Sequence, residues 1–148
     1  MLVDPQIHQL LDSVSTMTLS TCGQDGPHAA PVYFASDDRI HLYFFSEMGS
    51  LHSRHSAQNP QAAAAIYPYC ESWQDIRGLQ LYRDIQRVQA RDEWDMAWDL
   101  YRIKFPFVKA LKAIVAKNQL YAFIPTWIRL VDNDQGFGYK QEWKRDCE

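Results

Sequence analysis

The sequence predicts a mainly β domain with peripheral α-helices, in which six to seven mostly antiparallel strands form a closed or partly open barrel. Three observations support this fold class. Runs of β-type residues recur along the chain, short turn sequences separate consecutive runs, and helical patterns are few and short. An antiparallel sheet of this size leaves unpaired edges unless it closes on itself. The length of 148 residues suits a single domain, spanning residues 1–148, with one core.

The first part of the chain predicts a helix followed by a β-hairpin. Asp4 and Pro5 are a cap residue and a proline at the first helical position, and apolar residues follow at helical spacing. Residues 16–22 are rich in threonine and apolar residues, and the glycines of residues 23–26 favour a tight turn. The second strand of the hairpin is expected at residues 28–35.

The central part predicts two further strands around a short surface helix. Within residues 39–46, apolar residues at positions 40, 42 and 44 alternate with aromatic residues at positions 41, 43 and 45. This pattern indicates a strand that is buried on both faces. Residues 50–59 are polar and compatible with a helix, which Pro60 must end. The alanine-rich residues 62–69 predict the next strand.

The second half predicts three more strands and a helical insert. Residues 77–89 read as a long strand with a bulge or bend near Asp84. Asp92 can cap a helix, and Pro106 interrupts the helical pattern before a second segment that ends at Val115. Strand patterns return at residues 120–130 and 136–143, where Phe137, Tyr139 and Trp143 are expected on one face.

Composition argues against several classes of function. The net charge is −3 and acidic and basic residues are intermixed, so we expect no nucleic-acid binding. No apolar run is long enough for a membrane span, and the N-terminal residues do not resemble a secretory signal, so we expect a cytoplasmic protein that does not bind membranes. The three cysteines are widely spaced, which predicts neither a disulfide framework nor a zinc site.

Several motifs resemble a known family. The segment GQDGPHAAPVYF, the strand end FFS and the helix end NP are similar to those of the pyridoxamine 5'-phosphate oxidase-like FMN-binding split barrels. The segments IRGLQ, KFP and DNDQGFGYK look like those of YhbP-type (UPF0306) proteins within that superfamily. The resemblance implies a homodimer with FMN in a cleft between protomers. It also implies a flavin-dependent oxidoreductase in which the flavin carries the redox chemistry, so that no side chain is assigned a catalytic role.

The resemblance places the FMN phosphate at the end of the third strand and the start of the following helix. The residues there suit an anion, because hydroxyls, imidazoles and a guanidinium surround a helix start whose free N–H groups already favour negative charge. Arg54 is the strongest candidate, since its guanidinium can hold a phosphate bidentately; the alternative is a surface arginine without a ligand. The predicted phosphate contacts are Ser46, Ser50, His52, Arg54 and His55.

The resemblance places the flavin ring along the backbone of Ala30, Pro31, Val32 and Phe45. Pro31 lacks an N–H and should therefore lie on an edge strand or at a bulge. Arg77 and Lys140 are additional candidates for flavin contact, but each could instead form a salt bridge at the rim of the barrel. Tyr43, Phe45 and Trp143 are expected to contribute aromatic surface to the dimer interface.

The chain departs from the vitamin B6 oxidases of this superfamily at three positions. His52 stands where those enzymes carry a lysine, Gly78 where they carry a glutamine, and Arg83 where they carry a glycine. The resemblance therefore does not extend to a pyridoxamine phosphate substrate.

Other interpretations stay open at this point. A deazaflavin or haem could replace FMN in this fold, as in a flavin or haem carrier or sensor, although no histidine follows His55 to serve as a C-terminal haem ligand. A ligand-free dimer that acts through protein contacts is a third possibility. His52 and His55 have no neighbouring acid or cysteine to complete a metal site, so none is predicted. Trp94 and Trp98 could line a substrate pocket, but packing against the barrel is favoured.

Overall fold

The computed structural model describes residues 2–146. Within that range the chain forms four α-helices and eight β-strands, joined by three short 3₁₀ turns. The helices are α1 (Pro5–Ser13), α2 (Leu51–Gln58), α3 (Arg91–Lys104) and α4 (Lys112–Val115). The strands are β1 (Thr16–Gly23), β2 (Gly26–Tyr33), β3 (Ala35–Ser36), β4 (Leu42–Ser46), β5 (Gln61–Ile66), β6 (Arg77–Arg87), β7 (Gln119–Asp132) and β8 (Lys140–Lys144).

The strands form one curled antiparallel sheet in the order β2-β1-β5-β6-β7-β4-β3, with β8 also paired to β7. All the pairings are antiparallel, and β2 approaches β4 across the open side of the half-barrel. The predicted fold class is therefore confirmed. The eighth strand beyond the expected six to seven is the two-residue β3, which is too short to leave a pattern in the sequence.

The first helix and the hairpin form as their sequences predict. The Asp4 carboxylate accepts a hydrogen bond from the backbone N–H of Gln6 at 2.9 Å, and Pro5 begins α1. β1 and β2 pair up to Gly23 and Gly26, and Gly26 has φ +104°, a conformation that a residue with a Cβ rarely adopts. The turn thus requires glycine at position 26.

The main core lies inside the curled sheet and is closed by α1. Ile7, Leu10 and Leu11 of α1 are fully buried against the inward residues of the strands, among them Phe34 and Phe123. These apolar side chains leave water together, which supplies the dominant favourable free energy of folding. The core thereby supports the strands that carry Ala30, Val32 and Ser46 of the candidate site.

The helical insert packs on the outer face of β4. Tyr43 is fully buried there, and Phe45 contacts the aromatic residues of α3. The prediction that residues 39–46 form a strand buried on both faces is confirmed for β4. The expectation that Tyr43 provides dimer surface is wrong, because its side chain is fully buried beneath α3. Phe45 and Trp143 are half-buried, and their place in a dimer interface stays a prediction.

Several element boundaries differ from the sequence-based prediction. α3 begins at Arg91 with Ala90 as its cap, so Asp92 lies in the first turn, where its charge suits the helix dipole. β5 ends at Ile66, and Tyr69 beyond it is 86% exposed. Phe137 lies in a turn and is 84% exposed, not on a strand face with Trp143.

The bend predicted for residues 77–89 is present in β6. The register of β6 against β7 shifts between Tyr82 and Arg83, two residues before the position expected from the pattern. Such a bulge increases the local twist and lets a long strand pair wrap around a barrel. No helix within residues 2–146 is long and apolar enough to cross a membrane.

Candidate functional site

Three serine hydroxyls meet where β4 ends and α2 begins. Ser50 is the cap residue of α2, and its hydroxyl lies 2.9 Å from that of Ser46 and 2.8 Å from that of Ser53. Ser46 and Ser53 are only 6% and 5% exposed. We call Ser46, Ser50 and Ser53 the serine cluster; it places three rotatable donors beside the free N–H groups of a helix start.

His52 completes this cluster from the first turn of α2. Its Nε2 hydrogen-bonds to the hydroxyl of Ser46 and lies 3.3 Å from that of Ser50. The ring stacks on His28 of β2, with centroids 6.4 Å apart and an interplanar angle of 8°. Burial, and after it the charges of His28 and His55, lowers the pKa of His52 from 6.5. The imidazole is therefore predominantly neutral at pH 7.

His55 has a structural role that the sequence did not reveal. Its Nδ1 lies 3.1 Å from the hydroxyl of Thr21, and its Nε2 lies 2.9 Å from the carboxylate of Asp25, whose pKa this hydrogen bond lowers. The residue is 4% exposed, and both ring nitrogens are used. The prediction that His55 contacts a phosphate does not fit this arrangement, because the ring instead fastens α2 to the β1–β2 turn.

The side chain of Arg54 forms no hydrogen bond with the serine cluster within residues 2–146. Residues two apart on an α-helix point in nearly opposite directions, and Arg54 is exposed on the side away from His52. It lines a shallow polar cleft of about 290 Å³ together with Asp25, Leu51 and other residues of the hairpin turn and α2. The guanidinium proposed from the sequence as the main phosphate contact therefore shares a cleft with the carboxylate of Asp25.

The residues predicted to contact the flavin ring do not lie on one surface. Three of them lie on the two faces of β2, and the fourth, Phe45 of β4, packs against α3. Ala30 and Val32 share the half-buried face of β2 with His28, whereas Pro31 is exposed on the other face. β2 is an edge strand, as the missing N–H of Pro31 requires. The side chain of Phe45 packs against α3, so only its backbone could lie along a ligand.

Arg77 and Lys140 lie far from the serine cluster. In the register of the sheet, Arg77 lies opposite Asp132 and Lys140 lies opposite Val131, both at the end of β7. Ser46 lies opposite Gln119, at the start of β7. A 14-residue strand spans up to roughly 40 Å at about 3.3 Å per residue.

Arg77 and Lys140 also point to opposite faces of the sheet, because their partners are consecutive residues of β7. Neither side chain forms an ion pair with a residue in the range 2–146, and the predicted rim salt bridges are not seen there.

Gly78 departs from the related oxidases for a packing reason. A Cβ at this position would lie 2.9 Å from the carbonyl oxygen of Ile66 and 2.9 Å from the Cβ of Tyr67. Backbone cannot give way as a flexible side chain can, so β6 and the chain after β5 approach each other too closely for a glutamine.

The outer face of the sheet carries an open groove with a volume of about 610 Å³. Small side chains form its floor, and Tyr82 and Trp127 stand at one end. Within residues 2–146, no helix residue lines this groove. The residues that line the groove are Thr18, Ser20, Ala29, Ala63, Ala64, Ala65, Gln80, Leu81, Tyr82 and Trp127.

The donor chemistry of the serine cluster fits a phosphate group. Hydroxyls and helix N–H groups can reorient toward anionic oxygens, and His52 can donate from Nε2. His28 and Ser53 were missed by the sequence analysis, although Ser53 lies three residues after the cap and so necessarily shares its side of the helix. Within residues 2–146, no three His, Cys, Asp or Glu side chains are arranged to hold a metal ion.

Curated relatives match nearly the full chain at low identity. A UPF0306 protein of Photorhabdus laumondii is 26% identical over 94% of this chain and 94% of its own length. The UPF0306 protein YhbP of Shigella sonnei is 28% identical over 77% of this chain and 74% of its own length.

Solved structures show the same fold. A conserved hypothetical protein from Mycobacterium tuberculosis has a TM-score of 0.78 at 15% identity, covering 91% of this chain and 88% of that one. A haem-binding protein from Mycobacterium smegmatis has a TM-score of 0.76 at 20% identity, covering 97% and 60%. An FAD-binding protein from Mesorhizobium loti has a TM-score of 0.68 at 14% identity, covering 86% and 92%.

The family described as pyridoxamine 5'-phosphate oxidase matches residues 3–132, which include every strand from β1 to β7 and the serine cluster. The UPF0306 relatives agree with the YhbP-type motifs in the sequence. From its fold, its motifs and this match, the chain belongs to the pyridoxamine 5'-phosphate oxidase-like split-barrel family, and within it to the YhbP (UPF0306) type.

Proposed function

We propose that this protein binds FMN, with the phosphate held by the serine cluster and His52, and that it is a flavin-dependent oxidoreductase acting on a small molecule. The observation that carries the proposal is the meeting of three hydroxyls and one imidazole at the start of α2. Bound flavin would supply electron or hydride transfer. The chain's own residues bind the phosphate, orient the ring beside β2 and exclude water from it.

The proposal includes a homodimer with FMN at the interface. Arg77 and Lys140 belong to the same end of β7, far from the serine cluster of their own chain. They could contact a flavin held by the serine cluster only if they came from a second copy. The uncovered outer groove provides a surface on which two copies could pack.

The test is a titration of the purified protein with FMN and with riboflavin, which lacks the phosphate. His52→Glu should weaken FMN binding by about 30-fold or more, because it replaces a donor with a charge that repels the phosphate, and should change riboflavin binding little. Arg54→Glu should have a smaller effect on FMN, since Arg54 is exposed and shares a cleft with Asp25. If Arg54→Glu has the larger effect, the phosphate lies beside Arg54; if no variant or wild type binds FMN, the flavin proposal is rejected.

A haem carrier is the second candidate, because the fold is shared with a haem-binding protein and three histidines gather at one place in this chain. His52 stacks on His28 and His55 lies edge-on to His28, at 6.1 Å. Titration with haemin and measurement of the Soret band distinguishes the two candidates. Tight haem binding that is lost in His28→Ala and His52→Ala, together with no binding of FMN, would favour the carrier.

A further inference from the structure

A second cleft lies between α3 and α4, on the side of the sheet opposite the serine cluster. It has a volume of about 400 Å³, within the range of small-molecule sites. We call it the indole cleft, because two tryptophans form its wall. Its lining residues are Arg91, Trp94, Asp95, Trp98, Lys112, Val115 and Ala116, none of which belongs to the serine cluster.

The wall of the indole cleft is a rigid aromatic surface. Trp94 and Trp98 stack on each other with centroids 5.9 Å apart and an interplanar angle of 21°. Both rings also pack edge to face on Phe45, with centroid distances of 6.1 Å and 5.9 Å. This packing restricts the movement of the two indoles. Each indole is half-buried and keeps part of its surface toward the cleft. A planar ring can stack on such a surface without first ordering it.

The charges around the cleft favour an anionic ligand. Arg91 forms an ion pair with Asp95 at 3.2 Å, so these two charges largely compensate each other. Lys112 is exposed on the opposite rim and forms no hydrogen bond or ion pair with another residue in the range 2–146. The cleft therefore has one ammonium group in excess, next to apolar surface from Val115 and Ala116.

We propose that the indole cleft binds small planar aromatic carboxylates. The ring stacks on Trp94 and Trp98, and the carboxylate pairs with Lys112. This site goes beyond the proposed flavin function, because it needs no flavin and uses no residue of the serine cluster. The cleft lies next to Phe45. Phe45 and Ser46 are consecutive residues of β4, so their side chains lie on opposite faces of the sheet, and a ring bound in the cleft lies on the face opposite the proposed phosphate site.

The test is calorimetric titration of the flavin-free protein with naphthalene-2-carboxylate and with its neutral analogue naphthalene-2-methanol. We expect saturable binding of the carboxylate with a Kd of about 1 mM or tighter. Lys112→Glu should weaken it about five- to tenfold and leave the neutral analogue nearly unchanged. Lys109→Glu is the matched control, because Lys109 is exposed nearby but does not line the cleft.

Trp98→Leu tests the aromatic wall separately. It should weaken both probes, since stacking does not depend on the charge of the ligand, while circular dichroism confirms that the variant is folded. Absence of saturable carboxylate binding to the wild type overturns the proposal. Equal effects of Lys112→Glu and Lys109→Glu overturn the role of Lys112. FMN titration of the same samples is independent of both results, so failure here does not count against the flavin site.

Discussion

At the scale of single residues, His55 shows how a side chain can be reassigned by its surroundings. In the sequence it is one of several polar residues on a short helix, and an anion contact is a reasonable expectation. In the fold it is buried and bridges Thr21 and Asp25. Gly23 makes this possible, because a Cβ at that position would lie 2.4 Å from Cδ2 of the ring.

Gly23→Ala should therefore displace His55 and lower the free energy of unfolding by about 1–3 kcal/mol. The added methyl group forces the ring away from Asp25 and breaks the connection between α2 and the hairpin turn. Urea denaturation measures the change. Gly49→Ala is the matched control, because no atom lies within 4 Å of a Cβ built there, and it should be close to neutral. Equal stability of the two variants would show that the ring is free to move.

The pH dependence of FMN binding should report on His52. Burial lowers the pKa of this imidazole in the free protein, and a bound phosphate would raise it by favouring the imidazolium. Binding then takes up a proton, so the affinity of the wild type should rise as the pH falls from about 8 toward 6. His52→Lys stays charged across this range and should show a flatter profile. The phosphate itself titrates in the same way with both proteins, so its contribution cancels when the two profiles are compared. Parallel profiles would remove His52 from the phosphate site.

At the scale of elements, Lys104 joins the end of α3 to the end of α1. Its ammonium donates hydrogen bonds to the carbonyl oxygens of Leu11 and Val14 at 2.7 Å and 2.8 Å, and lies 3.8 Å from the centroid of the Phe34 ring. A cation at a helix C-terminus satisfies carbonyl groups that have no partner within the helix. The sequence contains the residues but gives no sign that they meet, since they are about ninety positions apart.

Lys104→Met should lower the free energy of unfolding by about 1–3 kcal/mol near neutral pH, because buried carbonyl groups of α1 lose their donors. Thermal or urea denaturation measures this change. Arg102→Met is a suitable control, since among residues 2–146 Arg102 pairs only with Asp99, on the surface of the same helix.

The same lysine should make stability depend on pH. Burial lowers the pKa of Lys104 to about 8 in the folded chain, from 10.5. Between these values the unfolded chain binds more protons, so the free energy of unfolding contributed by this residue rises with pH. The stability of wild type relative to Lys104→Met should therefore increase by about 1–2 kcal/mol between pH 7 and 10, after allowance for partial exposure. A constant difference across that range would contradict the lowered pKa.

At the scale of the whole molecule, the candidate site is divided between distant parts of one chain. The serine cluster lies beside one end of β7, and Arg77 and Lys140 lie beside the other. The outer groove has a floor of small side chains, and no helix residue of the described range 2–146 lines it. A second copy packed on this face would bring the two groups of residues closer than a single chain can.

Sedimentation should show a dimer, and Ala63→Glu should shift it toward monomer, because it places a charge on the floor of the outer groove. FMN binding should weaken together with dimerisation if the site is shared between copies. Ala110→Glu, an exposed alanine outside the groove, is the control. A wild type that sediments only as a monomer would reject the shared site, and unchanged FMN binding in a monomeric Ala63→Glu variant would confine the flavin to one chain.

Local chemistry was enough to predict much of this protein. Proline and capping residues place α1 and α2, glycines set the β1–β2 turn, and the double apolar pattern of β4 indicates burial on both faces. These features depend on neighbours within a few residues, which the sequence contains directly. The family motifs, read from the same residues, led to the fold and the YhbP type.

Only the tertiary structure decided which candidate residues share a site. Arg54 and His52 lie on different sides of α2, and His55 is bonded to Asp25 of the hairpin turn. Phe45 packs against α3, and the length of β7 separates Lys140 from Ser46. The structure also added His28, whose stacking on His52 joins a strand to a helix. Residue types and spacing determine which elements form, but the distances between side chains on different elements depend on how the sheet curls around its core, and no local pattern contains that information.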